Sequence, residues 1–394
     1  MPQIPVRAVY MRGGTSRAIV FRPEDLPNDK ADWDPIFLAA IGSPDPNGRQ
    51  LDGLGGGISS LSKVAVVGPS TRPDADVDYT FAQVAVGEPL VQYRANCGNI
   101  SSAIGPFAVD EGLVRPDGSV AKVRIHNTNT GKIIVAQFPV VDGRAAVEGD
   151  FHLDGVAGTG APIRLSFLEP GGAATGRLLP TGHAQDLLDI EGVGRIAVSL
   201  VDAANPTVFV EAAALGFTGS EHPDELAGNP KALALFEALR VAAAVRMGIV
   251  ADEDEARTRT RNLPIVSLLA APGEATTLKG SRLSAADMDI MTRMISAGQP
   301  HRATPLTAAM CLAVAVRIPG TVASRLASSD PGSEADIRVA HPSGVIPVAS
   351  VVGAKDGEAF AQEAVVYRTA RRLMEGAVLV PSRLVPKPAD GPGA

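Results

Sequence analysis

Cysteine is almost missing from this chain: Cys97 and Cys311 are the only two in 394 residues. Two thiols make no disulfide framework in the cytoplasmic compartment expected for this chain, and they cannot build a zinc site alone. Aromatic residues are scarce at 4%, whereas Gly (41) and Pro (31) are plentiful, which predicts many short strands joined by tight turns. No long run of one charge sign accompanies the net charge of −7. A nucleic-acid or membrane-surface partner needs a clustered positive field, so neither is expected. No stretch reads as a transmembrane helix, and the N-terminal MPQIPVRAVY lacks the charged and apolar blocks of a secretory leader. A cytoplasmic location is expected. The six histidines are scattered and unpaired at ligand spacing, so no metal is expected. GLGGGISS lacks the Lys-Thr of a P-loop, and no Ser/His/Asp set has a nucleophile-elbow pattern. No cofactor is expected. With 45% hydrophobic and 20% charged residues, the composition is that of a packed protein of two or three domains.

What is present is a repeat. VRAVYM and RAIVF read as two strands around the glycine turn RGGTS. A Gly/Ser/Pro-rich loop, SPDPNGRQLDGLGGGISS, leads to the buried-strand pattern KVAVVGPS, and DVDYTFAQVAV alternates as a further strand. Ile100, Ala103, Ile104, Phe107 and Ala108 then fall at the spacing of one helix face. AKVRIHNTNTGKIIVAQFPV reads as two strands with a polar Asn/Thr turn. The order recurs in RIAVSLVDAANPTVFVEAAALG, PIVSLLAAPG, a helix with Leu306, Ala309, Met310, Ala313 and Val314 on one face, and IRVAHPSGVIPVAS. Thr304 is the expected N-cap of that second helix, with Pro305 at its first position. The fold class expected is α+β: two pseudo-symmetric units, each a sheet with a central helix. The expected domains are 1–184 and 185–394, divided near LLPTGHAQD. A helical insertion is expected over 219–262. EAVVYRTARRLMEGAVLVP reads as a closing hairpin that contacts the first domain, and the tail KPADGPGA as disordered.

Laying one half over the other isolates two residues. Cys97 opens the first helix, where the second half has Ala303 or a neighbour. Lys63 opens the strand KVAVV, where the second half has a residue near Pro264. The first half therefore holds a thiol and an amine where the second holds inert groups. A thiol at a helix N-terminus feels the positive end of the helix dipole. The free N–H groups of Gly98 and Asn99 at the same end suit a carboxylate or phosphate. An ordinary Asn-Cys-Gly turn is the bland alternative. For Lys63 the alternative is a surface lysine at a strand edge. Its use as a base would need burial or a nearby cation, and bound carboxylates would act in the opposite sense. Cys311 lies inside the second helix and reads as a core thiol.

YMRGGTSR, IGSPD, QLDGLGGGISSLSKVAVV, NCGNISSAIGPFAVDEGLV, HRA and AHPSGVI together resemble the PrpF family, with Arg17 standing where many relatives have lysine. The resemblance spans most of the chain. It implies a diaminopimelate-epimerase-like fold, two domains with mostly antiparallel sheets curled around central helices and an active site in the cleft between them. It implies an isomerase or tautomerase of unsaturated polycarboxylates such as aconitate, methylitaconate or 4-oxalomesaconate. It also implies a catalytic lysine and cysteine, which fall on Lys63 and Cys97. Substrate carboxylates would be held by loop hydroxyls, helix N-termini and basic groups, for which Arg12, Thr15, Ser16, Ser60, Asn96, Gly98, Asn99, His301, Thr304 and Ser343 are the candidates. MRGGTSR would then hold a carboxylate. The partner expected is a small unsaturated polycarboxylate, and a homodimer is compatible with the sequence. Two other readings are an amino-acid epimerase, which wants two opposed acid/base groups, and a non-catalytic factor that serves an aconitase-type enzyme.

Overall fold

Strand direction, followed along the chain, runs through one pattern twice. The molecule is a computed structural model that describes residues 2–93 and 96–384, so the tail KPADGPGA lies outside the described residues. In the first pass β1 (Gln3–Gly13) pairs antiparallel with β2 (Ser16–Phe21). After α1 (Trp33–Ile41), β2 pairs parallel with β3 (Lys63–Pro69), and β3 antiparallel with β4 (Val77–Val84). The short β5 (Val91–Gln92) precedes the helix α2 (Gly98–Asp110). Beyond it β4 pairs parallel with β6 (Val120–Asn127), and β6 antiparallel with β7 (Lys132–Val141). The second pass uses Gly194–Ala203, Asn205–Glu211, Ile265–Ala270, Ile290–Ser296, Ile337–His341 and Gly344–Lys355. Their pairings run antiparallel, parallel, antiparallel, parallel, antiparallel in the same order. The insertion expected between the second and third of these strands is α3 (Pro223–Ala227), α4 (Pro230–Arg246) and α5 (Glu253–Arg259). The second central helix is α6 (Leu306–Arg317), followed by α7 (Val322–Leu326).

Residues up to Ser166, with those from Tyr367 onward, form one compact unit, and Phe167–Val366 the other. The division thus falls at 166/167 rather than 184/185. Residues 171–175 are tied to the strand Gly194–Ala203: Gly171 bridges Ala203, and Asp202 accepts from the Ala174 and Thr175 N–H groups at 2.8 and 2.7 Å. The closing segment is shared out as well. Glu358–Arg368 lies along Gly344–Lys355 as far as Val366, whereas Ala370–Pro381 lies along β1 over Gln3–Gly13.

Each central helix is buried on more than the one face its spacing predicts. Every residue of α2 from Ile100 to Val109 is buried. Its other faces carry Ser101, Ser102 and Gly105, small enough for strands to close on them. A Cβ on Gly105 would come within 2.8 Å of Ala136 Cβ and 2.7 Å of the Phe138 ring. α6 is buried from Ala308 to Arg317. It starts at Leu306, with Pro305 as N-cap and no side-chain cap, so the expected Thr304 cap is not formed; Pro305 has ψ 133°, outside the helical range. The true counterparts of Cys97 and Lys63 are therefore Pro305, which caps α6, and Ile265, which opens its strand.

Cys311 is fully buried in α6. Its thiol donates to Val201 O at 3.4 Å, and burial pushes its pKa up to about 12. Cys311→Ser should keep its kcat, because a hydroxyl can use the same acceptor. It should lose stability by about 1–3 kcal/mol at most. A fall in kcat with an unchanged melting temperature would contradict this.

Candidate active site

Alternation along β3 and β4 decides where the amine points. Val64, Val66, Ala82 and Val84 pack in the cluster built on α1. Lys63, Tyr79, Phe81 and Gln83 are therefore on the opposite face, the α2 side. Lys63 is 8% exposed. Its Nζ donates to Gln83 Oε1 at 2.5 Å and stands 5.2 Å from the centre of the Phe81 ring. The Gln83 amide is oriented by its own donations from Nε2 to the carbonyls of Ser59 (3.1 Å) and Ser62 (3.0 Å). Among the described residues no carboxylate pairs with Lys63, so its ammonium rests on a neutral amide and a ring face.

Cys97 is the N-cap of α2, with an extended backbone (φ −111°, ψ 101°) and no side-chain capping bond. Its half-buried sulfur is not used to satisfy the helix. The first-turn N–H groups, Gly98 and Asn99 among them, have no acceptor within the helix. The NTNTG turn between β6 and β7 is tied to Phe81 and Tyr93, two residues that line the same pocket as Cys97. Asn129 Nδ2 donates to Tyr93 O at 2.6 Å and Phe81 O at 2.8 Å, and its Oδ1 accepts from Phe81 N at 2.7 Å. Asn96 Oδ1 accepts from the Ser101 hydroxyl at 3.1 Å. Lys63, Asn96 and Cys97 line one open pocket of about 760 Å³, with Phe81, Gln83, Leu90, Val91, Gln92 and Tyr93. A larger cavity of about 860 Å³ beside α1 is lined by Asp45, Arg49 and Leu379 among others, but by neither amine nor thiol.

The MRGGTSR turn rests on the first turn of α2. A Cβ on Gly13 would sit 2.6 Å from Asn99 O, and one on Gly14 2.2 Å from Asn99 Oδ1. Thr15 N–H points to Asn99 Oδ1 at 3.5 Å. Arg12 Nη1 donates to the Gly14 and Thr369 carbonyls at 3.0 and 2.9 Å, so part of its guanidinium braces the turn. Ser16 is buried opposite Gly13 in the β1–β2 register, and Thr15 is exposed. Ser60 lies in the 3₁₀ turn Ser59–Leu61 that precedes Lys63. Gly13→Ala is expected to displace α2 by backbone collision, costing about 1–3 kcal/mol of stability and lowering kcat/KM. Unchanged melting and kinetics would show that the turn does not brace the helix.

The second unit gathers His301, Thr304 and Ser343 about the start of α6. His301 Nε2 and Ser296 Oγ are 2.7 Å apart, and burial lowers the imidazole pKa. Ser343 Oγ donates to Arg302 O at 2.6 Å. Thr304 is half-buried two residues before the helix. Three further groups were not singled out from sequence: Gln83, Asn129 and Arg368. The repeat offered a signal for a fourth, Asn205. It sets DAANPT opposite RGGTS, and Asn205 Nδ2 donates to Thr307 Oγ1 at 3.4 Å, so this turn also meets its central helix.

Two similar units, each with a buried helix whose N-terminus meets a hairpin turn, define the fold class expected. A family model described as "PrpF protein" matches residues 3–381, and the chain belongs to that family. It is 44% identical to a 3-methylitaconate isomerase of Eubacterium barkeri over 96% of this chain and 98% of the relative. It is 40% identical to a 2-methyl-aconitate isomerase of Cupriavidus necator over 97% and 98%. The crystal structure of a methylitaconate-delta-isomerase superposes with a TM-score of 0.92 at 42% identity, covering 100% of both chains.

Proposed function

We propose that this protein is an isomerase that shifts the double bond, or changes its geometry, in an unsaturated di- or tricarboxylate. Methylitaconate and 2-methylaconitate are the first substrates to test. The observation that carries the reading is the presence of the Lys63 amine and the Cys97 thiol on the wall of one pocket. The family's named activities agree with it.

The chemistry needs one base and one acid. A C–H next to the double bond of such a substrate is acidified by the conjugated carboxylate. One group of the pair removes that proton, and the electron pair spreads over the allylic system onto a carboxylate. The other group returns a proton at the far carbon, so the double bond moves and no atom is gained or lost. Rotation within the delocalised anion, before the proton returns, changes cis to trans. The N–H groups opening α2 stabilise the developing charge. Thr15, Ser16, Ser60, Asn96 and Asn99 supply polar contacts for the carboxylates, and His301, Thr304 and Ser343 are proposed to contribute in the second unit. Phe81, Leu90 and Val91 provide an apolar wall suited to a methyl-bearing alkene. No step of this chemistry calls for a cofactor. A cytoplasmic location belongs to the same proposal, since both thiols are free.

Proton NMR in deuterated water tests the reading directly. Migration of the double bond with deuterium entering at the new C–H is expected for one of these acids. Exchange at an amino-acid α-carbon instead would make the protein an epimerase. That chemistry is disfavoured here, because Pro305 caps α6 where a second thiol would stand. Neither reaction would leave a binding protein.

A further inference from the structure

Arg368 is a buried cation at the wrong end of a helix. It is 6% exposed, and it meets the first turn of α2, where the helix dipole disfavours positive charge. Nε donates to Asn99 Oδ1 at 3.1 Å and Nη1 to Tyr367 O at 2.8 Å. Nη2 has no acceptor among the described residues, and no carboxylate there forms an ion pair with the guanidinium. Gly14 makes room for it: a Cβ there would lie 3.1 Å from Arg368 Cδ. Removing a guanidinium from water without a counter-ion is costly, and partners that are all neutral offset only part of that cost. Burial lowers its pKa to about 10, which still leaves it protonated at neutral pH, and Cys97 is the one ionisable group that acts to raise it. Fixed donors, a free N–H edge, the positive end of a 13-residue helix and a guanidinium with no carboxylate partner among the described residues converge on one place. A group of this kind suits an anion.

We propose that Arg368 receives one carboxylate of the substrate through its Nη2 edge, beside the N–H groups that open α2. The assignment rests on the polycarboxylate reading above and names the residue that takes one of the acid groups. Asn99 is then a positioning residue, whose Oδ1 holds the guanidinium while its amide N–H faces the same anion.

The test uses tricarballylate, a saturated tricarboxylate with no double bond to move. Calorimetry on the wild type, Arg368→Gln and Arg368→Lys is combined with steady-state kinetics on methylitaconate and a thermal melt of each protein. Loss of a charged, hydrogen-bonded anchor should weaken binding roughly tenfold or more in Arg368→Gln. KM should rise in parallel and kcat change less. Arg368→Lys should fall between, since it restores charge without the planar fork. If the glutamine variant does not fold, the lysine variant decides: several-fold weaker binding supports the site, and equal affinity and KM overturn it. A wild type that turns over methylitaconate, with Arg368→Gln equal to it in affinity and KM, removes the site and leaves the isomerase reading intact. A wild type that turns over no polycarboxylate, yet binds tricarballylate only when Arg368 is present, removes the isomerase reading and leaves the site. A lower melting temperature with unchanged affinity, or no tricarballylate binding by the wild type, overturns the proposal.

Discussion

Lys63→Ala is expected to lose turnover by a factor on the order of 10²–10⁴, the usual worth of a general acid or base. The fold should survive. Among the described residues the ammonium makes one hydrogen bond, to Gln83, and one ring contact, to Phe81; Gln83 keeps its own donations to Ser59 and Ser62 when the amine is gone. The backbone of Lys63 stays paired between Ala18 and Gln83. The stability cost should therefore stay within about 2 kcal/mol, mostly from the buried aliphatic stem. Far-UV circular dichroism and a thermal melt separate loss of chemistry from loss of structure. Near-normal kcat in a folded variant would take Lys63 out of the mechanism.

The Cys97 variants should behave in a graded way. Cys97→Ala should lose on the order of 10²–10⁴ in kcat if the thiol itself gives or takes the proton. If it relays or orients, Cys97→Ser should keep part of the activity that Lys63→Ala lacks. Chemical labelling provides a reading that does not depend on turnover. Cys97 borders an open pocket, whereas Cys311 is fully buried with its pKa pushed up to about 12. Iodoacetamide should therefore modify Cys97 well before Cys311, with the modified peptide located by mass spectrometry. A tricarboxylate should slow the reaction by covering the sulfur. Equal labelling of the two thiols, with no protection by any unsaturated polycarboxylate, would separate Cys97 from the anion site and remove most of the mechanism.

The parts of the site that could be read in the chain are those whose signal is local. MRGGTSR shows its turn by two adjacent glycines, and the structure gives the reason: α2 leaves no space for a Cβ at either. Cys97 shows its place by standing just before a helical run, and it caps α2. Lys63 shows its place by opening an apolar strand. The expected cap at Thr304 failed because residue type alone cannot tell a capping threonine from one in the loop before a proline. The expected boundary near 184 failed because a Gly/Pro-rich stretch looks like a linker, whether or not its N–H groups are tied to a neighbouring strand as those of Ala174 and Thr175 are.

The sequence by itself determined the repeat, the two central helices, most of the strands and the odd amine and thiol that one half holds. Periodicity, turn chemistry and composition are properties of neighbouring residues, and they survive without contacts. Only the tertiary structure decided that Lys63 meets Gln83, that Asn129 ties Tyr93 to Phe81, and that Arg368 ends at the first turn of α2. Those meetings depend on strand register and on the return of the last strand along β1. Neither leaves a mark in local sequence, because a buried arginine and a surface arginine are the same letter until the fold removes the water around one of them.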